Sequence, residues 1–423
     1  MRVLIVNTSE RKGGAAVAAY RLVEALNNNG VKAKMLVSDK ETDSITVVEL
    51  GRKWLSRWHF LWERWTIFFH LHFSRTHLFH VDIANSGTDI TRLPEFKEAD
   101  VIHLHWINQG MLSLGSIRKI LRSGKPVVWT MHDMWPATAI CHLTLGCARF
   151  KSGCRHCKYL PGNGSDNDLA VRTWRKKTNM LKGQHVAFVA CSKWLAGEAR
   201  GSLLLEGQSV KAIPNPIDTH VFCPKSKREA RIRLNLPQDM QLILFAAQRV
   251  NNANKGVEFL QNACNKLMDE HPEQNGKLGI LSMGRHAESI GEDLQMPVFS
   301  MGYVADVQTL VDIYNAADVF VLPSLSENLP NTIMEAMACG VPCVGFKVGG
   351  IPEMIDHCQT GYVASYRNTD DLKDGIWWTL QADGDELSKA SVRKVAQNYS
   401  QTSVASRYYE VYHEILTMKH LKL

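Results

Sequence analysis

Residues 319–348 read VFVLPSLSENLPNTIMEAMACGVPCVGFKV. Val319 to Leu322 is a short apolar run, fit for a buried parallel strand. Pro323 to Leu329 cannot extend it and makes a loop. Pro330 suits a first helical position, where its missing N–H costs nothing. Asn331 to Cys339 reads as a helix, Gly340 as its C′ residue, and Pro342 onward as the next strand. Two carboxylates stand eight positions apart in this unit, Glu327 in the loop and Glu335 about one turn into the helix. The N–H groups of Asn331, Thr332 and Ile333 open that helix, carry about half a positive charge and suit a phosphate. A carboxylate beside them suits sugar or ribose hydroxyls, because it accepts two hydrogen bonds at once. An ordinary βαβ unit with one loop glutamate and one exposed helix glutamate would have the same spacing, so the surrounding letters decide.

Those letters are specific. The run Ser326 to Pro342, followed by Gly349-Gly350-Ile351-Pro352-Glu353 and Gly361-Tyr362, closely resembles the donor-site signature of the family 4 retaining glycosyltransferases. The resemblance implies the GT-B fold: α/β, two Rossmann-like domains facing a central cleft, here followed by a C-terminal helical segment. The usual family wording has Gly-Phe-Gly after the first Glu, where this chain has Asn328-Leu329-Pro330.

At 423 residues the chain is long enough for two α/β domains. Its 45% hydrophobic and 22% charged content is that of an ordinary globular protein. Met1 to Val6 reads as a strand rather than a signal peptide, and no apolar run reaches the ~18–20 residues of a membrane span. The ten cysteines are therefore expected in a cytoplasmic setting, where disulfides are rare. A net charge of +7 suits a nucleotide phosphate or the inner face of an anionic plasma membrane, and is too weak to argue for nucleic acid.

After the first strand, Gly13-Gly14 precedes a helix from Ala15 to about Asn28. Such a pair lets backbone N–H groups approach a diphosphate or sugar, although a plain turn has the same letters. In the resembled family, glycines at this place face the donor. Val127 to Met131 is strand-like and runs into His132-Asp133-Met134-Trp135-Pro136. A His at the carboxyl end of a parallel strand lies where α/β sheets bind ligands, and the Thr-x-His-Asp wording matches the family's N-domain His that reaches the donor sugar. His105 is a second candidate, equally well explained by packing.

Two segments stand apart from the α/β pattern. Between residues 52 and 80, Trp54, Trp58, Trp62 and Trp65 are spaced four, four and three apart, which puts four indoles on one helical face. Arg52, Lys53, Arg57, Arg64 and Arg75 accompany them. A basic, Trp-rich amphipathic helix reads as membrane-surface binding; the alternative is a stripe packed into the domain core. Farther on, Cys141, Cys147, Cys154 and Cys157 form C-x5-C-x6-C-x2-C, which suggests a tetrahedral structural Zn²⁺. Unligated or redox cysteines are the alternative.

Ile213-Pro214-Asn215-Pro216 reads as an inter-domain link stiffened by prolines. The expected division is 1–214 for an acceptor-side domain with the Cys-rich insert at 141–157, 215–395 for the nucleotide-sugar domain, and 396–423 for a helical segment packing back on the first. The second domain opens on a strand from Gln241, with Arg249 and Lys255-Gly256 following. Two cations six positions apart after a strand can grip both phosphates of a nucleoside diphosphate. A surface-charge pair has the same look, but the place matches the family's Arg…Lys-Gly clamp. Asp383-Gly384-Asp385 has no strand before it, so it does not read as a metal-binding DxD.

The reading is retaining glycosyl transfer from a nucleoside-diphosphate sugar to a hydroxyl of a lipid-linked surface glycan, with no cofactor needed for catalysis. His132, Glu327, Arg249 and Lys255 carry the chemistry; Gly13, Gly14, Asn331, Thr332, Ile333 and Glu335 bind substrate. A nucleotide-sugar epimerase of the same fold and a zinc-stabilised nucleic-acid-binding protein are the readings set against it.

Overall fold

In β1 (Arg2–Val6) the side chains of Leu4 and Val6 enter one hydrophobic cluster and those of Val3 and Ile5 another. That alternation is what a strand covered by helices on both faces requires. It appears in a computed structural model of the chain that describes residues 1–291 and 294–420. The chain divides into two units, one of Met1–Pro216 plus the segment from Val404 on, the other Ile217–Ser403.

The first unit is built on a seven-stranded parallel sheet. Besides β1 it contains β2 (Lys32–Val37), β3 (Val47–Glu49), β4 (Val101–Leu104), β5 (Val127–Met131), β6 (Ala187–Ala190) and β7 (Ser209–Ala212), in the order β3-β2-β1-β4-β5-β6-β7. The order reverses direction between β1 and β4, where Val3 pairs with Val101 and Val6 with Leu104. One face is covered by a cluster that includes Ile102, Trp129 and Phe188. The other is covered by the helix Gly14–Asn28 and by Val404, Ala405, Tyr408, Val411 and Tyr412 of the helix Gln401–His420.

The second unit holds β8 (Gln241–Arg249), β9 (Leu278–Arg285), β10 (Val298–Ser300), β11 (Val319–Leu322), β12 (Cys343–Phe346) and β13 (Gly361–Ala364). They form a parallel sheet in the order β10-β9-β8-β11-β12-β13. Its reversal lies between β8 and β11, with Val319 opposite Ile243. Near its carboxyl end β8 carries one extra residue relative to β9: Ala246 pairs with Met283, but Arg249 with Arg285. Such a bulge re-aims the last side chains of a strand.

Local signals placed most elements well, with two differences of detail. Pro330 is the N-cap of the helix Asn331–Ala338 rather than its first helical residue. The helix in the Trp-rich stretch is confined to Lys53–His70, because residues 71–80 turn through Leu71, His72 and Phe73, the last two with positive φ. Asp383 caps the helix Gly384–Asn398 by accepting from the N–H groups of Asp385 and Glu386.

The helix Gln401–His420 is keyed to the first sheet by polar contacts under the apolar ones. The Tyr412 hydroxyl lies 2.7 Å from His103 Nδ1, and the Tyr408 hydroxyl 2.9 Å from Thr130 Oγ1. Tyr412 is fully buried. Tyr412→Ala is therefore expected to cost about 3–5 kcal/mol in urea unfolding, the range for removing a buried aromatic ring.

Candidate functional site

The candidate residues of the second unit converge on the reversal between β8 and β11. Lys255 ends a short turn after β8, and Gly256 then starts the helix Val257–Glu270 with φ 70°. A Cβ at Gly256 would lie 1.9 Å from the carbonyl oxygen of Pro323, so only glycine lets this loop approach the one after β11. The two loops are then stitched: Leu325 N–H donates to Asn254 O at 2.8 Å, and Asn254 Nδ2 to Ser326 O at 2.9 Å. Gly349 (φ 56°) does the same from the other side, since a Cβ there would meet the Glu327 carbonyl at 1.7 Å.

Within this frame Lys255 Nζ donates to Glu327 Oε1, which also accepts from Ser324 Oγ at 3.1 Å. Both members of the pair keep some access to solvent, Lys255 more than Glu327. The helix Asn331–Ala338 starts from Pro330, which offers no capping side chain, and its first turn holds no acid. Asn331, Thr332 and Ile333, the sequence-predicted phosphate residues, form its first turn. Glu335 is buried, and its Oε2 accepts from Tyr314 Oη at 2.7 Å. Arg249 ends β8 with an exposed side chain, beside Arg285 of β9.

In the first unit the candidates also lie beyond strand ends. Gly13 (φ 92°) is the N-cap of the helix Gly14–Asn28, after β1. His132 follows β5, is half-buried, and holds its Nε2 2.9 Å from His105 Nδ1 and its Nδ1 3.4 Å from Cys191 Sγ. Burial pushes the His132 imidazole down to about 4, partly opposed by Asp133, so the ring is neutral near pH 7. His105 is held well below its ordinary value by burial and by His103 and His132.

Asp133 accepts from Trp106 Nε1 at 2.9 Å and from the Trp135 N–H at 2.8 Å, and contacts His142 Nδ1 at 2.7 Å. Burial raises the Asp133 carboxyl, but His142 and these hydrogen bonds outweigh it and hold it below the usual range. His142 in turn lies 2.6 Å from Asp82, which pairs with Arg64 of the Trp-rich helix. This chain of partners, Arg64–Asp82–His142–Asp133, had no local signal in the sequence. Its members lie 9 to 60 positions apart. Tyr314 and Ser324 were missed for a related reason: neither residue type is distinctive until the fold brings it to a carboxylate.

The four cysteines of the insert come to one place. Cys141, Cys147, Cys154 and Cys157 do line one small pocket of about 20 Å³. Yet among the described residues no three His, Cys, Asp or Glu side chains are grouped so as to hold a metal ion. Burial pushes two of these thiols up, Cys154 to about 11 and Cys157 to about 12, each partly offset by a hydrogen bond with backbone, at Ala139 and Tyr159. The insert packs as a satellite core, with Cys141, Tyr159 and Leu160 against Ile67 and Leu71 of the Trp-rich segment.

A histidine held below its ordinary value lowers stability in acid. Its unfolded form binds a proton from about pH 6.5 downward, whereas the folded form of His132 resists to about 4. Its contribution is present above pH 6.5 and lost as pH falls through that window. Urea midpoints of the wild type should fall between pH 7 and pH 4.5, and His132→Gln should fall less over the same range.

Comparisons with known proteins agree with this geometry. A family model described as Glycosyltransferase Family 4 matches residues 12–221, and one described as Glycosyl transferases group 1 matches residues 241–382. The chain is 27% identical over 287 residues to a D-inositol 3-phosphate glycosyltransferase of Nocardiopsis dassonvillei, covering 64% of this chain and 60% of that protein. A second such relative, from Saccharomonospora viridis, is matched over 51% of its length. The matched part thus spans only about half to two-thirds of these relatives. Among solved structures, sucrose-phosphate synthase from Thermosynechococcus elongatus aligns with a TM-score of 0.64 at 18% identity, over 99% of both chains. HepE of Anabaena, solved with UDP-glucose, aligns with a TM-score of 0.62 at 14% identity, over 98% of this chain and 100% of that one.

Proposed function

Because the chain belongs to the family 4 glycosyltransferases and has the GT-B fold, we propose that it moves a sugar from a nucleoside-diphosphate sugar to an acceptor hydroxyl with retention of configuration. The observation that carries this reading is the Lys255–Glu327 pair in the loops at the β8/β11 reversal, just ahead of the helix Asn331–Ala338, whose first turn holds no acid.

In this reading the diphosphate lies on the N–H groups of Asn331, Thr332 and Ile333. Lys255 and Arg249 take up the negative charge that grows on the leaving group, where a preorganised cation acts most strongly. Glu327 is poised by Lys255 and Ser324 to accept hydrogen bonds from donor-sugar hydroxyls. Glu335, steadied by Tyr314, accepts them from the ribose. In the first unit, His132 is a neutral ring near pH 7 and so offers hydrogen bonds rather than a positive charge. The acceptor hydroxyl attacks the anomeric carbon on the face the diphosphate leaves, and its proton passes to the departing phosphate oxygen.

The UDP-glucose bound by HepE of Anabaena makes a uridine nucleotide the first donor to try. For the acceptor we infer a lipid-linked surface glycan at the inner face of the plasma membrane rather than the small polyol phosphate in the name of the D-inositol 3-phosphate relative. The support is the exposed aromatic, basic helix Lys53–His70.

Screening nucleoside-diphosphate sugars by thermal unfolding is expected to find one that stabilises the protein, by about 2.7 kcal/mol at 100 times its Kd. Lys255→Ala should lose that protection and at least ~100-fold in turnover, the scale of removing one transition-state donor; near-normal transfer would refute the clamp. Since Lys255 and the helix terminus supply the positive charge, and the Asp383 carboxylate is engaged as a helix cap, transfer is expected to survive EDTA unchanged in initial-rate assays.

A further inference from the structure

The helix Lys53–His70 is amphipathic in the inverted sense. Trp54, Trp58, Leu61, Trp62, Trp65 and Phe69 are all exposed, from 47% to 68% of their surface. At about 100° per residue these six side chains fall within roughly a 100° arc. The buried positions on the helix are Glu63, Arg64 and Ile67. An ordinary surface helix turns its apolar stripe to the core and its charges to water; here two charges are inside and four indoles outside.

The surrounding structure holds the helix that way round. Glu63 Oε1 accepts from the N–H groups of Ile83 at 2.9 Å and Ala84 at 2.6 Å. Arg64 pairs with Asp82 and donates to the carbonyls of Leu78 at 2.6 Å and Val81 at 3.2 Å. Rolling the helix to bury its tryptophans would pull this buried set apart and leave charges unpaired, which costs several kcal/mol. Gly110 (φ 82°) fixes the axis as well, because a Cβ there would meet the helix backbone at Phe60 N, 2.4 Å away. Trp58 and Trp62 are already stacked, ring centroids 5.4 Å apart.

We propose that this face seats the protein on the surface of an anionic bilayer. Charge selects that partner. Between residues 52 and 80 the one acid is Glu63, which is buried, while Arg52, Lys53, Arg57 and Arg75 are exposed. Lys53 is partly engaged with Glu49 at 3.0 Å. A rim of exposed cations around an aromatic stripe matches anionic headgroups over an acyl boundary, where indoles are favoured. A two-fold pairing of two copies through the same face would set the cationic rims against each other. The helix lies on the membrane and does not cross it: among the described residues no helix is long and apolar enough. The inference deepens the lipid-linked acceptor reading and rests on it for its purpose.

The test is flotation of the full chain with phosphatidylcholine vesicles with and without phosphatidylglycerol. It is expected to float with the anionic vesicles at low salt, with a blue shift of tryptophan emission, and to bind less at high salt. Trp58→Ala combined with Trp62→Ala should reduce binding at least tenfold with an unchanged melting temperature. Arg57→Glu, a single exposed change, should weaken binding to anionic vesicles and provides the same reading should the double variant melt early. Absence of flotation at low salt, or self-association of the wild type that the double variant abolishes, would overturn the proposal, the latter in favour of a second copy. Donor binding is read separately by thermal unfolding without vesicles, so failure of the membrane proposal and failure of the transferase reading give different results.

Discussion

A parallel strand covered on both faces leaves only its ends for chemistry. Any polar side chain along β1 or β11 would have to be desolvated between helices, so those strands are almost wholly apolar. The candidate residues of both units accordingly follow strand ends: Gly13 after β1, His132 after β5, Lys255 after β8 and Glu327 after β11. In the second unit, bringing two such ends together needs a backbone approach that side chains would block. Gly256 against Pro323 and Gly349 against Glu327 supply it, and the Lys255–Glu327 pair depends on both.

The first unit carries polar groups in its interior, and it does so by pairing them. His103 sits between Tyr412 and Thr130, each at 2.7 Å, which ties a helix from the end of the chain to the middle of the sheet. Asp82 is shared by Arg64 and His142, and His142 reaches Asp133 beside His132. Breaking one member of such a buried set strands the others, so the set behaves as a unit. One consequence is that the loop carrying His132 and the helix carrying the tryptophans are held by the same few charges. Another is that the helix cannot hide its aromatic face.

Much of this was legible in the letters. The strand and helix of residues 319–338, the glycine at 340, the cations after β8 and the histidine after β5 all follow from local signals: apolar runs, turn residues and positions relative to strand ends. The letters left two glutamates of similar appearance, and the structure sets them in separate surroundings, Glu327 in an ion pair and Glu335 on a tyrosine hydroxyl. The cysteine spacing bounds where thiols can go along the chain, and the fold brings all four to the lining of one small pocket.

By itself the sequence determined the fold class, the order of strands and helices, and the residue types at each strand end, since these depend on the period of hydrophobicity and on local backbone preference. Only the tertiary structure decided which way the Trp-rich helix faces. Its periodicity marks a stripe but carries no sign: a buried aromatic stripe and an exposed one have the same spacing. The sign comes from Ile83, Ala84 and Asp82, some twenty residues away, whose N–H groups and carboxylate claim Glu63 and Arg64 and turn the indoles outward.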